Sequence, residues 1–183
     1  MKALVVIILV VAATWCAGNV ILGAVAAPGI FAHAVSTPTL QPDHVSRELA
    51  GKIFGEILRR WSHAVDIGFL PLLGVLILLL AGALLNLKRI GLMMVCMVAL
   101  GSIAGVHLWS SATLDQALAS APPIDPKTPY GAEQREIFNA LHKHSTTAFS
   151  TEALLLLVMV IGCGIALGRQ ADAVSTSAAK TNH

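Results

Sequence analysis

Four long apolar runs alternate with polar, proline-bearing stretches along this chain. They cover about residues 3–27, 67–87, 90–110 and 147–168. A helix rising ~1.5 Å per residue crosses the ~30 Å hydrocarbon layer of a bilayer in about 20 residues, which is the length of these runs. Stretches such as Val75-Leu76-Ile77-Leu78-Leu79-Leu80 lack the alternation that barrel strands require. The pattern predicts an all-α integral membrane protein with four transmembrane helices.

Two further segments carry a helical period without enough apolar residues to cross. Ala50, Ile53, Phe54, Ile57, Leu58, Trp61 and Val65 recur at i, i+3, i+4 spacing, while Glu48, Lys52, Glu56 and Arg60 line another face four residues apart. This predicts an amphipathic helix over about 43–63. A second, over about 129–146, places Ile137, Phe138 and Leu141 on one side, with Thr128 then Pro129 as its N-cap and first helical position. Both lie on the side of the two long connections, the loop side, and each feeds directly into a span. The first helix is expected to end near Pro28. Residues 1–170 then form one four-helix transmembrane domain, and 171–183 a polar flexible tail. The halves share a plan of span, Pro-rich loop, amphipathic helix and span, as a parallel duplication would give.

Composition agrees: 56% of residues are hydrophobic and only 12% charged, against about 25% charged in soluble domains. No basic patch with interleaved aromatics points to nucleic acid. Cys16, Cys96 and Cys163 all lie inside apolar runs, an odd count without a Cys-x-x-Cys, which reads as buried thiols rather than a disulfide framework. Ala24-Val25-Ala26 resembles a signal-peptide cleavage site, but the run before it is long, and a retained helix is the expectation. Lys88 and Arg89 in the tightest connection favour termini on the cytoplasmic side, with a bacterial inner (plasma) membrane as the default location. Gly101/Gly105, Gly164/Gly168 and Gly51/Gly55 have the Gly-xxx-Gly spacing that lets helices approach in lipid.

Candidate chemistry gathers on the loop side, where His33, His44, His63, His107, His142 and His144 fall. His107 lies ~25 Å along its span and Glu152 ~22 Å from the far end of the next, so the two share a depth. Ionisable groups inside a membrane are costly and are functional candidates. Glu152 must be protonated or paired, and His107 is its expected partner within about 6 Å. Asp66 is expected to pair with His63, Arg60 or Arg59. The candidate polar pocket is therefore His107, Glu152, His63 and Asp66. Candidate haem or metal ligands are His33, His63, His107 and His142, with His33 brought near His63 and His107 by a chain reversal after Pro28; haem b or a metal is the cofactor class such residues would take. His44 and His183 are assigned no role. Met93, Met94, Cys96 and Met97 are a soft-ligand cluster suited to copper, although they cover more than one helix face.

Ala27-Pro28-Gly29-Ile30-Phe31, Arg47-Glu48-Leu49-Ala50-Gly51-Lys52-Ile53-Phe54-Gly55 and Phe138-Asn139-Ala140-Leu141-His142-Lys143-His144-Ser145 together resemble the transmembrane-protein-205-like family, a four-helix membrane domain of unknown function. That family is similar in outline to copper resistance protein D and the HemJ-type protoporphyrinogen oxidases. The resemblance implies metal or haem handling among its relatives, without transferring a ligand set to residues here. No nucleophile constellation, phosphate-cradling loop or paired catalytic carboxylates is visible. The expected function is non-enzymatic: a loop-side polar pocket in a ligand-binding or assembly subunit, with the lipid bilayer and a homo-oligomer or membrane-protein partner as its surroundings. A haem- or metal-binding redox protein and an oligomeric small-solute or ion transporter are the alternatives.

Overall fold

A computed structural model describes residues 1–36, 43–86, 90–121, 123, 127 and 131–181. Among these residues every regular element is helical. In order they are α1 (Lys2–Val20), a π-helical turn (Ile21–Ala26), α2 (Ala27–Ser36), α3 (Asp43–Ala64), a second π-helical turn (Val65–Phe69), α4 (Leu70–Asn86), α5 (Ile90–Ser120) and α6 (Ala132–Thr181). Four helical stretches are long and apolar enough to cross a membrane: Lys2–His33, Val45–Asn86, Ile90–Ser120 and His142–Arg169. The helix suits this setting because it satisfies its backbone groups internally where lipid offers no partner.

Pro28 does not end the first helix, contrary to expectation. The helical path continues through it to Ser36. A proline ring collides with the carbonyl four residues earlier, which for Pro28 is Ala24 and for Pro71 is Ile67. Both carbonyls lie inside the π-helical turns. There the closing bonds reach five residues back, from Ala27 N–H to Leu22 O and from Leu70 N–H to Val65 O. The wider turn makes room for each ring without breaking the helix. The chain does not reverse at Pro28, so His33 stays in the last turn of α2, which packs against α3 through an edge-on Phe31–Phe54 pair with centroids 6.3 Å apart.

The four spans close a ring in which α1 touches α4 and α6, and α5 touches α4 and α6, while α3 leans on α5. The core is built from Ile8, Val11, Ala12 and Trp15 of α1, Leu73, Leu76 and Ile77 of α4, Ile103 of α5 and Leu156 of α6. Outward-facing residues such as Val10, Leu79, Val98 and Val158 are apolar and exposed, as a surface in contact with the bilayer requires.

Three expectations about packing change. The apolar stripe of α3 is split: Ala50, Phe54 and the adjoining Val65 are buried, whereas Ile53 and Ile57 face outward. Of the Gly-xxx-Gly positions, only Gly55 meets a neighbour, Leu118; a Cβ at Gly51, Gly101, Gly105, Gly164 or Gly168 would touch nothing. The close approach occurs instead at Gly18, where a Cβ would collide with the Trp61 indole. Finally, α6 continues to Thr181 through the segment read as a flexible tail, in keeping with Ala171, Ala173, Ala178 and Ala179, since alanine is the best helix former. The connection at Lys88 and Arg89, the capping pair Thr128–Pro129, the loop 37–42 and His183 lie outside the described residues, as do the side chains of His44, Phe138 and Leu141.

Candidate functional site

The buried polar groups converge at one level of the bundle. Asn19 projects from the last turn of α1, Asp66 from the second π-helical turn, His107 from mid-α5 and Glu152 from α6. His107 is 2% exposed and Glu152 1%, while Asp66 retains 38% exposure. His107 Nδ1 lies 3.3 Å from Glu152 Oε1, well inside the 6 Å expected, and Nε2 lies 3.1 Å from Asp66 Oδ1. Asp66 therefore pairs with His107, not with His63, Arg59 or Arg60. The two arginines are occupied elsewhere, bonding Glu56 at 2.8 and 3.1 Å on the exposed face of α3. Helical spacing decides this: Glu56 is three and four residues from them, on the same face.

The network continues beyond the expected residues. Asn19 Nδ2 donates to Glu152 Oε1 at 3.2 Å, and Asn19 Oδ1 accepts from Trp61 Nε1 at 2.8 Å. The bare Gly18 lets the indole of Trp61 lie against α1, which is what brings its N–H to Asn19. Trp15, fully buried, meets the His107 ring edge-on with centroids 5.4 Å apart and an 88° interplanar angle. Phe69 packs against Trp15 and Trp61, completing an aromatic wall. Beside this group Ser62 and Ser111 share a 2.6 Å hydrogen bond between α3 and α5. Within this group Glu152 Oε2 and Trp15 Nε1 are buried and have no hydrogen-bond partner among the described residues.

The proton count of this arrangement is constrained. Both ring nitrogens of His107 face carboxyl oxygens, and each contact needs one hydrogen. Either the imidazolium donates to both carboxylates, or a neutral ring donates to one and accepts from the protonated other. The two arrangements contain the same number of protons and differ only in where one of them sits. The Asp66–His107–Glu152 line can therefore move a proton between a half-exposed carboxyl and a buried one without changing its net charge.

Two cavities flank this level. On the loop side a cavity of about 690 Å³ is bordered by Asn19, Phe31, Leu114, Ser145, Thr146 and Phe149, among others. On the terminus side another of about 680 Å³ is almost wholly apolar, with Ile8, Ile77, Ile103 and Leu155 at its inner end. Along α1, Trp15 stands between Ile8 of one and Asn19 of the other; along α5, His107 stands between Ile103 and Leu114; along α6, Glu152 lies at the inner end of the loop-side lining, which runs from His142 to Ala153, just before the other lining begins at Leu155. Trp15, His107 and Glu152 thus form a septum between two chambers.

The remaining candidates fall outside this level. His63, near the end of α3, is exposed to the surroundings and lies outside the network. His33 is exposed on α2 and His142 borders the loop-side cavity. Among the described residues no group of three His, Cys, Asp or Glu is placed to hold a metal ion. The structure does not bring His33, His63, His107 and His142 together as a ligand set, and both nitrogens of His107 are engaged by carboxyls, which leaves no lone pair turned toward a metal or haem iron. The sulfur-rich start of α5 also diverges: Met94 and Met97 are exposed, while Cys96 turns into the terminus-side cavity.

Asn19, Trp15 and Trp61 went unrecognised as site residues in the sequence. The available signal was an amide inside an apolar span, with Trp15 four residues earlier on the same helix face. Compared with known proteins, the chain matches no family model, no curated protein and no solved structure.

Proposed function

We propose that this is a ligand-binding membrane protein whose loop-side cavity holds a small, largely apolar molecule with a hydrogen-bonding group. The observation that carries this reading is the double role of Asn19: it borders the cavity and also bonds Glu152 at 3.2 Å. A ligand group at Asn19 acts on the buried acid and, through His107, on Asp66. The volume of about 690 Å³ suits a small molecule. Ser145, Thr146 and Ser150 give the cavity the few polar groups that orient such a ligand within an apolar wall. Membership of the transmembrane-protein-205-like family, a bacterial inner membrane and cytoplasmic termini belong to the same proposal. So does assembly with a second copy or another membrane protein, for which the open glycine faces of α5 and α6 leave room.

Solvent extraction of the gently purified protein, followed by mass spectrometry of the extract, tests the reading. A small molecule recovered near one per chain, and lost in Phe149→Ala and Asn19→Leu, is the expected result. Equal recovery from the wild type and both variants, or none from any, contradicts it. An absorption spectrum of the same sample reads the haem alternative directly.

One observation favours a second reading, proton-coupled movement of a solute. The septum separates chambers that approach from opposite sides, and it contains a line able to relay a proton. Flux in reconstituted vesicles that is abolished in Glu152→Gln supports this reading, and a molecule retained without flux supports the first.

A further inference from the structure

The terminus-side cavity lies outside the loop-side proposal and takes a different ligand. It is a half-open cavity bordered by α1, α4, α5 and α6, with Val5, Leu80, Leu84 and Met159 among its apolar walls. Its lining on α6 runs from Leu155 to Ala166, and on α5 from Leu92 to Ile103. Each stretch spans eleven steps, or ~17 Å at ~1.5 Å per residue. That is close to half of the ~30 Å hydrocarbon layer, the depth of one leaflet. Arg169, three residues beyond Ala166, is the one charged side chain in this wall among the described residues, and it is exposed. Its position is one helical turn above the apolar lining, at the level where headgroups lie. A guanidinium forms paired hydrogen bonds to a phosphate.

From this match of depth, apolarity and charge we infer that the cavity holds one acyl chain of an anionic phospholipid, with the lipid phosphate on Arg169. The chain displaces no water from polar partners, because the cavity floor is Ile8, Ile77 and Ile103. The septum above it stops the chain short of the His107–Glu152 pair. Arg169 supplies the selection among headgroups, and the four-helix wall distinguishes this lipid from the many that only touch the outside of the bundle.

Native mass spectrometry of the full chain, delipidated in detergent and then given phosphatidylglycerol or phosphatidylcholine of the same chain length, reads the inference. The wild type is expected to retain one phosphatidylglycerol at least tenfold more strongly than phosphatidylcholine. Arg169→Gln removes that preference and Arg169→Lys keeps most of it. Gly162→Leu, whose new side chain enters open space in the cavity wall, loses the bound lipid of either kind. Ala99→Leu fills the cavity from α5 and gives the same result if Gly162→Leu does not fold. Equal retention of the two lipids by the wild type, or a preference that survives Arg169→Gln, overturns the headgroup site. Retention unchanged by both filling variants shows annular lipid only and overturns the cavity site.

Discussion

The two halves of the bundle deliver their polar residues in different ways. In the first half, Asn19 sits two residues before the π-helical turn at Ile21–Ala26, and Asp66 lies within the turn at Val65–Phe69. In the second half, His107 and Glu152 stand on uninterrupted α-helix. The prolines account for the difference: Pro28 and Pro71 fall inside spans of the first half, and α5 and the described span of α6 contain none. Two regular helices place an imidazole and a carboxyl at one depth, and two distorted helices bring an amide and a second carboxyl to them. Wide turns of this kind occur preferentially at functional sites because they rotate side chains off the regular helical period. The plan shared by the halves in sequence thus conceals an asymmetry that assigns them different tasks.

The largest test of that asymmetry removes the residue where the halves meet. His107→Leu leaves Asp66 and Glu152 without their common partner, and loss of one member of a buried pair costs about 3–5 kcal/mol. Unfolding in detergent micelles should show this loss, and a change below about 1 kcal/mol would mean that the halves do not depend on the imidazole. Gly18→Ala comes next. Its Cβ meets the Trp61 indole, and overpacking typically costs about 1–3 kcal/mol. Asn19→Leu leaves Trp61 Nε1 and one contact of Glu152 unsatisfied, for a similar or smaller loss of about 1–3 kcal/mol. Loss of the Trp61 Nε1–H hydrogen bond shifts indole emission to the blue, whereas loosening that admits solvent shifts it to the red, so the emission maximum separates this variant from simple loosening. The smallest effect belongs to the second half, where Gly101→Ala meets open space and should stabilise the helix by about 0.5–1 kcal/mol. A destabilisation there would show that the open face of α5 is covered by something else.

Much of this arrangement was legible in the residues. Apolar run length predicts the four spans because the bilayer thickness imposes it. The His107–Glu152 contact follows from equal depth on consecutive antiparallel helices, since a buried acid needs a partner. Depth alone does not give azimuth, however. His63 and Asp66 have nearly the same depth, yet the π-helical turn between Ala64 and Leu70 turns Asp66 inward and leaves His63 outside. That turn depends on Pro71, which reads as an ordinary interruption until the carbonyl it displaces is identified. The glycine spacing misled for a similar reason: Gly101 and Gly105 have the right interval, but packing selected the isolated Gly18, where an indole needed room. Periodicity identifies a face without saying which neighbour occupies it.

His107 couples a carboxyl of the first half to a carboxyl of the second. A double-mutant cycle with Asp66→Asn and Glu152→Gln, run in wild-type and His107→Leu backgrounds and read by unfolding in detergent, measures that coupling. Groups sharing one hydrogen-bonded partner give interaction energies of about 0.5–3 kcal/mol. A coupling in this range is expected with His107 present, and additivity without it. Additive effects in the wild-type background, or a coupling that survives His107→Leu, would contradict this expectation.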